Sequence, residues 1–65
     1  MKHGRIVRVT THITYVVAEE DAEKAVALVK ATAEPGTQVE AIGRASLKTL
    51  DSLSLHAGQF QKVEP

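Results

Sequence analysis

EEDAEKAVALVKATA, residues 19–33, has a clear helical period. Val26 and Val29 recur at the spacing of one helix face, with alanines beside them that widen the apolar stripe. Acidic residues begin the stretch and a lysine lies near its end, which suits both poles of the helix dipole. Pro35 cannot continue a helix. The pattern therefore predicts a helix over 19–34, followed by a turn.

The segment before this helix, RIVRVTTHITYVVA (5–18), is rich in β-branched residues and alternates with period two. This pattern predicts a strand over 5–18, preceded by a mobile end over 1–4. The odd-numbered residues form the more apolar face, so we expect that face to pack on the helix. The polar middle of the segment, 10–12, would also suit a bulge that switches the two faces.

The predicted strand is too long for the helix that should cover it. A strand over 5–18 spans about 46 Å at about 3.3 Å per residue. A helix over 19–33 spans about 22 Å. Three arrangements would resolve this mismatch: two shorter strands, a bent strand, or a second chain that covers the excess.

The rest of the chain predicts two more strands. Pro35 and Gly36 suit the central positions of a type II turn. A strand over 37–50 follows, and after a reversal at Asp51 and Ser52 a last strand over 53–63 returns beside it. This register places Phe60 across from Gly43, and an aromatic ring over a strand glycine is stabilising.

A helix over 45–55 is the alternative to this strand pairing. Leu47 and Leu50 are three residues apart, and Ser46 is a suitable N-cap residue. Leu53 and Leu55 fit the helical period poorly, so the strand interpretation is preferred.

These elements predict one domain over 1–65, an α+β or α/β two-layer sandwich with the order strand, helix, strand, strand. One helix packs on one face of a small mixed three-stranded sheet, since strands joined through a crossover helix run parallel. The other face of the sheet then has no cover. The element order is similar to that of the dodecins, which assemble into shells. The tryptophan that stacks flavin in that family has no counterpart here, because the chain contains no Trp.

The composition points to a small core. The chain has 65 residues, no cysteine, one Phe and one Tyr. A core in a chain below roughly 70–80 residues rarely supplies more than about 3–5 kcal/mol, and without disulfides or metals the common remedy is association. Eight basic and eight acidic residues balance, which disfavours a dedicated nucleic-acid binder. The chain lacks the run of about 18 apolar residues that a membrane span needs, so a cytoplasmic location is expected.

No motif in the sequence predicts catalysis, a cofactor or a metal. His3, His12 and His56 are not at the spacing of a zinc site, and there is no thiolate ligand. The glycines do not form a phosphate-binding loop. We therefore expect a protein that is not an enzyme and has no cofactor or metal site.

The apolar residues that one helix cannot cover predict self-association. Leu50, Leu53 and Leu55 cluster at the end of the predicted hairpin, on the uncovered face. Ile6 and Val16 lie on the same outer side of the first strand. These five residues are the expected interface of a homo-oligomer, a dimer or a higher assembly, formed by face packing or by edge pairing.

An anion-binding or nucleic-acid-binding module is the alternative function. Arg8, Arg44 and Lys48 would form a basic stripe on the outer face of the predicted sheet, and such a stripe attracts phosphates. That face carries no aromatic residue on which a base would stack, so this alternative is not favoured.

Overall fold

The computed structural model describes residues 2–9 and 13–63 of the chain. The described residues form four strands and two helices in one small α+β domain. In chain order they are β1 (His3–Val9), β2 (Ile13–Val17), α1 (Ala22–Lys30), β3 (Val39–Ser46), α2 (Leu47–Ser52) and β4 (Phe60–Val63). All strand pairs are antiparallel, and the order across the sheet is β3-β1-β2-β4.

The segment predicted as one strand over 5–18 is two strands that pair with each other. Val7 of β1 lies opposite Tyr15 of β2, so the chain reverses between Val9 and Ile13. Each strand is then short enough for a helix to cover, which resolves the length mismatch. β1 begins at His3, inside the segment expected to be mobile, because Gly4 already pairs with Ala45 of β3.

This reversal also corrects the predicted sheet. β1 occupies a central position and is antiparallel to both β2 and β3, so the sheet is not mixed and not three-stranded. β2 and β3, which precede and follow α1, do run in the same direction, but β1 lies between them. The strand–helix–strand–strand order shared with the dodecins is therefore not the order of this chain.

α1 begins after Asp21, whose side chain accepts hydrogen bonds from the backbone N–H groups of Glu23 and Lys24 at 2.9 and 3.2 Å. This N-cap explains why the helix starts later than the sequence suggested. The α-helix ends at Lys30 with Ala31 as its C-cap, before the proline that was expected to end it. Gly36 has φ of 86°, as the third position of a type II turn requires.

Two residues of α1, Ala25 and Val29, are buried against the odd-numbered residues of β1 and β2. Val7, Val9 and Val17 form the sheet side of this cluster, so the more apolar face of the segment does pack on the helix. We call this side of the sheet the first face.

The strand predicted over 37–50 ends at Ser46, where α2 begins. The Ser46 side chain accepts a hydrogen bond from the backbone N–H of Thr49 at 3.2 Å and so caps α2. The helical alternative for 45–55 is therefore right for Leu47–Ser52. It does not extend to Leu55, which lies beyond the C-cap at Leu53.

The last predicted strand, 53–63, is a strand over its final part alone. β4 pairs with β2, and Phe60 lies opposite Val17 rather than Gly43. The Phe60 ring meets Tyr15 edge-on, with ring centroids 5.5 Å apart. The predicted hairpin between the last two strands is wrong, because α2 and its following loop carry the chain to the far edge of the sheet.

The even-numbered residues of β1 and β2 point to the opposite side, which we call the second face. Four buried residues form its cluster: Val16, Ala18, Ala45 and Leu50. Half-buried residues surround them: Ile6, Leu53, Leu55 and Val63. The sheet thus has a hydrophobic cluster on each face. In the described part of the chain, no helix is both long and apolar enough to cross a membrane.

Leu50→Ala is expected to destabilise the fold strongly, because Leu50 is 2% exposed and fills the second-face cluster. Deleting such a buried leucine costs about 2–5 kcal/mol, comparable to the whole stability of so small a domain. Urea unfolding followed by circular dichroism measures the effect. Leu47→Ala in the same helix is the control, since Leu47 is 45% exposed, and a loss as large as that of Leu50→Ala would contradict this packing.

Gly4→Ala is expected to prevent normal folding. A Cβ at this position would clash with the backbone carbonyl oxygen of Val17 and lie 2.9 Å from the Leu50 Cδ2 atom. Gly43→Ala is the control, because its Cβ would meet the Ile6 Cδ1 atom at an ordinary 3.8 Å. Thermal melting should show a large loss for Gly4→Ala and little change or a gain for Gly43→Ala. Equal melting temperatures for the two variants would contradict the close packing of Val17 and Leu50 around Gly4.

Candidate interaction surface

The five residues predicted as an interface come together on the second face. Leu50 and Val16 are buried within its cluster, and Ile6, Leu53 and Leu55 pack around them while staying partly exposed. Strand alternation brings Ile6 and Val16 together, since the two residues are direct partners in the β1–β2 ladder. The five residues therefore belong to one apolar cluster on the second face, and its use as an interface stays a prediction.

Several residues of this surface were missed from the sequence. Ala45 and Val63 belong to the second-face cluster, and their places follow from strand pairings that the predicted order did not contain. Leu47, on α2 beside this face, is 45% exposed, whereas Ile42, which is 48% exposed, lies in the bulge of β3 and does not belong to the cluster. The spacing of Leu47 and Leu50 was the available signal for an amphipathic helix here.

α2 covers one half of the second face. It lies where β1 begins and β3 ends, and Leu50 packs there over Gly4 and Ala45. The loop after α2 then joins the same end of the sheet, where Gly58 donates its backbone N–H to the Ala18 carbonyl at 2.9 Å. The other end of the second face carries Arg8, Thr14, Glu40 and Val63, which we call the open half.

An ion pair joins two strands in the open half. Arg8 and Glu40 are direct partners in the β1–β3 ladder, and the Arg8 Nη2 atom donates to the Glu40 Oε1 atom. Their side chains are 44% and 60% exposed. Such an exposed pair contributes at most about 1 kcal/mol to folding. The open half therefore carries two opposite charges that are exposed to solvent.

The three basic residues of the alternative function do not share one face. Arg44 pairs with Arg5 across the β1–β3 ladder, and the alternation of β1 puts Arg5 and Arg8 on opposite sides of the sheet. The cause is a bulge, because the partners of Ile6 and Val7 are Gly43 and Ala41, which leaves the intervening residue of β3 unpaired. Lys48 lies on α2.

The two outer strands carry features that hinder edge-to-edge pairing. β3 contains the bulge at Ile42 and the charged residues Glu40 and Arg44. β4 has four residues and includes Lys62. Bulges, short edge strands and charged side chains are devices that protect exposed sheet edges. The edges are therefore less suited to association than the second face.

The histidines do not form a site within the described residues. The His3 Nε2 atom is buried and has no hydrogen-bond partner there. His56 is exposed, and its backbone N–H donates to the Gln59 Oε1 atom at 2.9 Å. His12 lies outside the described residues. No group of three or more His, Cys, Asp or Glu residues in 2–9 and 13–63 is placed to hold a metal ion.

A shallow groove of about 420 Å³ runs along α1, away from the second face. Its walls include Ala27, Leu28 and Ala31 of the helix, with Glu19 and Gly58 at its ends. Small alanine side chains on this side of α1 account for the groove. None of the residues predicted as functional from the sequence lines it.

The turn before α1 contains a carboxyl group, that of Glu20, whose pKa is shifted. The backbone N–H of Lys2 donates to the Glu20 Oε1 atom at 2.6 Å, and this hydrogen bond lowers the pKa of the Glu20 carboxyl below its ordinary value. A lowered carboxyl pKa in the folded state stabilises the fold above the ordinary pKa. That contribution is lost as the pH falls through the lowered value.

No family model, no curated protein and no solved structure matches the chain.

The Lys2 backbone N–H can be removed without changing Glu20. We expect Lys2→Pro to raise the pKa of the Glu20 carboxyl toward its ordinary value, because proline has no N–H to donate. Lys2→Ala keeps the N–H and should leave the pKa low. Carboxyl ¹³C chemical shifts followed against pH measure both variants, and identical Glu20 pKa values in the two would contradict this hydrogen bond.

Proposed function

We propose that this chain is a self-associating interaction module whose interface is the second face of the sheet. The supporting observation is the incomplete cover of the second-face cluster. Ile6, Leu53 and Leu55 pack against buried residues and still reach solvent, and within residues 2–9 and 13–63 no helix lies above the open half. Contiguous apolar groups left at a surface are typical of interaction sites.

The size of the chain supports the same proposal. The chain has 65 residues and no cysteine, and the buried apolar residues that the structure describes are divided between two clusters, each of five residues or fewer. A divided core gains less from burial than a single one of the same total size, because more of its rim faces water. Covering the second face with another chain would add apolar burial where this fold needs it.

Face packing suits the described features better than edge pairing. The bulge in β3 interrupts the regular ladder that a second β3 would need, and charged residues flank it on both sides. The second face has no such obstacle, since its charged pair lies in the open half alone. The proposed assembly is therefore a dimer or higher homo-oligomer in which second faces meet.

We propose a non-enzymatic role, and a cytoplasmic location remains expected from the sequence. Anion binding is not favoured as a function, because Arg8 is paired with Glu40 and Arg44 lies on the other side of the sheet.

Sedimentation equilibrium over a range of concentrations tests the proposal. We expect a mass above that of one chain at high concentration. Leu47→Glu should shift the equilibrium toward the monomer, because it places a charge on α2 beside the second face while glutamate remains favourable at a helix start. Ile42→Glu is the matched control, since Ile42 is as exposed as Leu47 but lies in the bulge of the edge strand.

Each outcome has a distinct meaning. Loss of association in Leu47→Glu alone supports face packing. Loss in Ile42→Glu alone would move the interface to the β3 edge. A native chain that stays monomeric at every concentration would overturn the proposed function.

A further inference from the structure

α2 packs on the sheet and covers half of the second face, so the surface is higher over that half than over the open half. A helix with its side chains is about 10–12 Å across, so two second faces could not meet directly over their open halves. The space left above each open half has the depth of one helix. A second copy of α2 has the diameter that such a space requires.

The exposed side of α2 carries groups that complement the open half. Successive helical residues are about 100° apart around the helix axis. On this basis Leu47 lies about 60° around the axis from Leu50, and Asp51 and then Lys48 lie farther round on the same side. All three are exposed. We call them the outer flank of α2. It presents one apolar group, one acid and one base.

The open half presents the same three kinds of group. Val63 is half-buried there beside Thr14, and the Arg8–Glu40 pair supplies one base and one acid that solvent reaches. The outer flank of α2 and the open half therefore each present an apolar group, an acid and a base. Such electrostatic complementarity sets the register of an interface more than its affinity.

We propose that α2 of each copy docks on the open half of the other copy, about a two-fold axis. Leu47 then covers Val63 of the second copy, while Lys48 faces its Glu40 and Asp51 faces its Arg8. This inference rests on the proposed function and adds its geometry. Both α2 helices lie side by side in one layer between the two sheets, and each contact is made twice, as two-fold symmetry requires.

Charge reversal tests this pairing without changing the net charge. The variant R8E/E40K reverses the pair in the open half and keeps an ion pair across the two strands. The variant K48E/D51K reverses the outer flank of α2 and keeps one acid and one base there. Combining all four substitutions restores opposite charges at every proposed contact.

The measured quantity is the dimer dissociation constant from sedimentation equilibrium at about 50 mM salt, where charge contacts are weakly screened. R8E/E40K alone and K48E/D51K alone should each raise the dissociation constant about tenfold or more, since each variant makes two contacts repulsive in each half of the dimer. The fourfold variant should return it to near the native value. K24E/E34K, on and after α1, is the matched control and should leave it unchanged, and circular dichroism establishes that every variant is folded.

Rescue by the fourfold variant supports the docking of α2 on the open half. Dissociation constants that do not change on reversal, or a fourfold variant weaker than either pair alone, would overturn this geometry. In both of those cases the chain still associates, so the proposed function stands. Absence of association in the native chain would overturn the function and the geometry together.

Discussion

The structure depends on the fact that β1 and β2 are apolar on both faces. Alternation along a strand sends Val7 and Val17 to one side and Ile6 and Val16 to the other. A sheet of this kind has to be covered twice. The chain has a nine-residue helix for the first face and a six-residue helix for the second. The shortage of cover on the second face follows directly from this difference, because one short helix shields only one end of a four-stranded sheet.

The position of α2 depends on a close approach that glycine permits. Leu50 reaches the sheet over Gly4, where a side chain would collide with Leu50 and with the β2 backbone. The Ser46 cap starts the helix directly at the end of β3, without an intervening loop. The cap and this close contact therefore hold α2 at one end of the second face. The open half is a consequence of how β3 ends.

Local features of this chain were predictable from the sequence, and long-range pairing was not. The periodicity around Val26 and the turn at Pro35 and Gly36 depend on neighbours in the chain, and the structure has both. The reversal between Val9 and Ile13 carries no glycine or proline signal, so the segment was interpreted as one strand. Because of this reversal, the sheet in the structure has four strands instead of the predicted three, and β4 does not pair with β3 as predicted.

The candidate surface was predictable in part for a related reason. Ile6, Val16 and the leucines after β3 were grouped because they lacked cover, and lack of cover can be inferred from residue pattern alone. Their true neighbours could not be inferred, since Ala45 and Val63 reach this face through pairings between distant segments. The predicted basic stripe does not form for a similar reason: the unpaired residue Ile42 places Arg44 on the opposite side of the sheet from Arg8.

The bulge at Ile42 links the fold to the proposed association. It reverses the facing of all residues that follow it in β3, which brings Ala45 under Leu50 and thereby gives α2 its anchor on the second face. It also interrupts the outer edge of the sheet, where a regular strand would invite edge pairing. One irregularity therefore both positions the helix that leaves the second face half covered and blocks the competing route to assembly. That combination is why the proposed association is between faces rather than between edges.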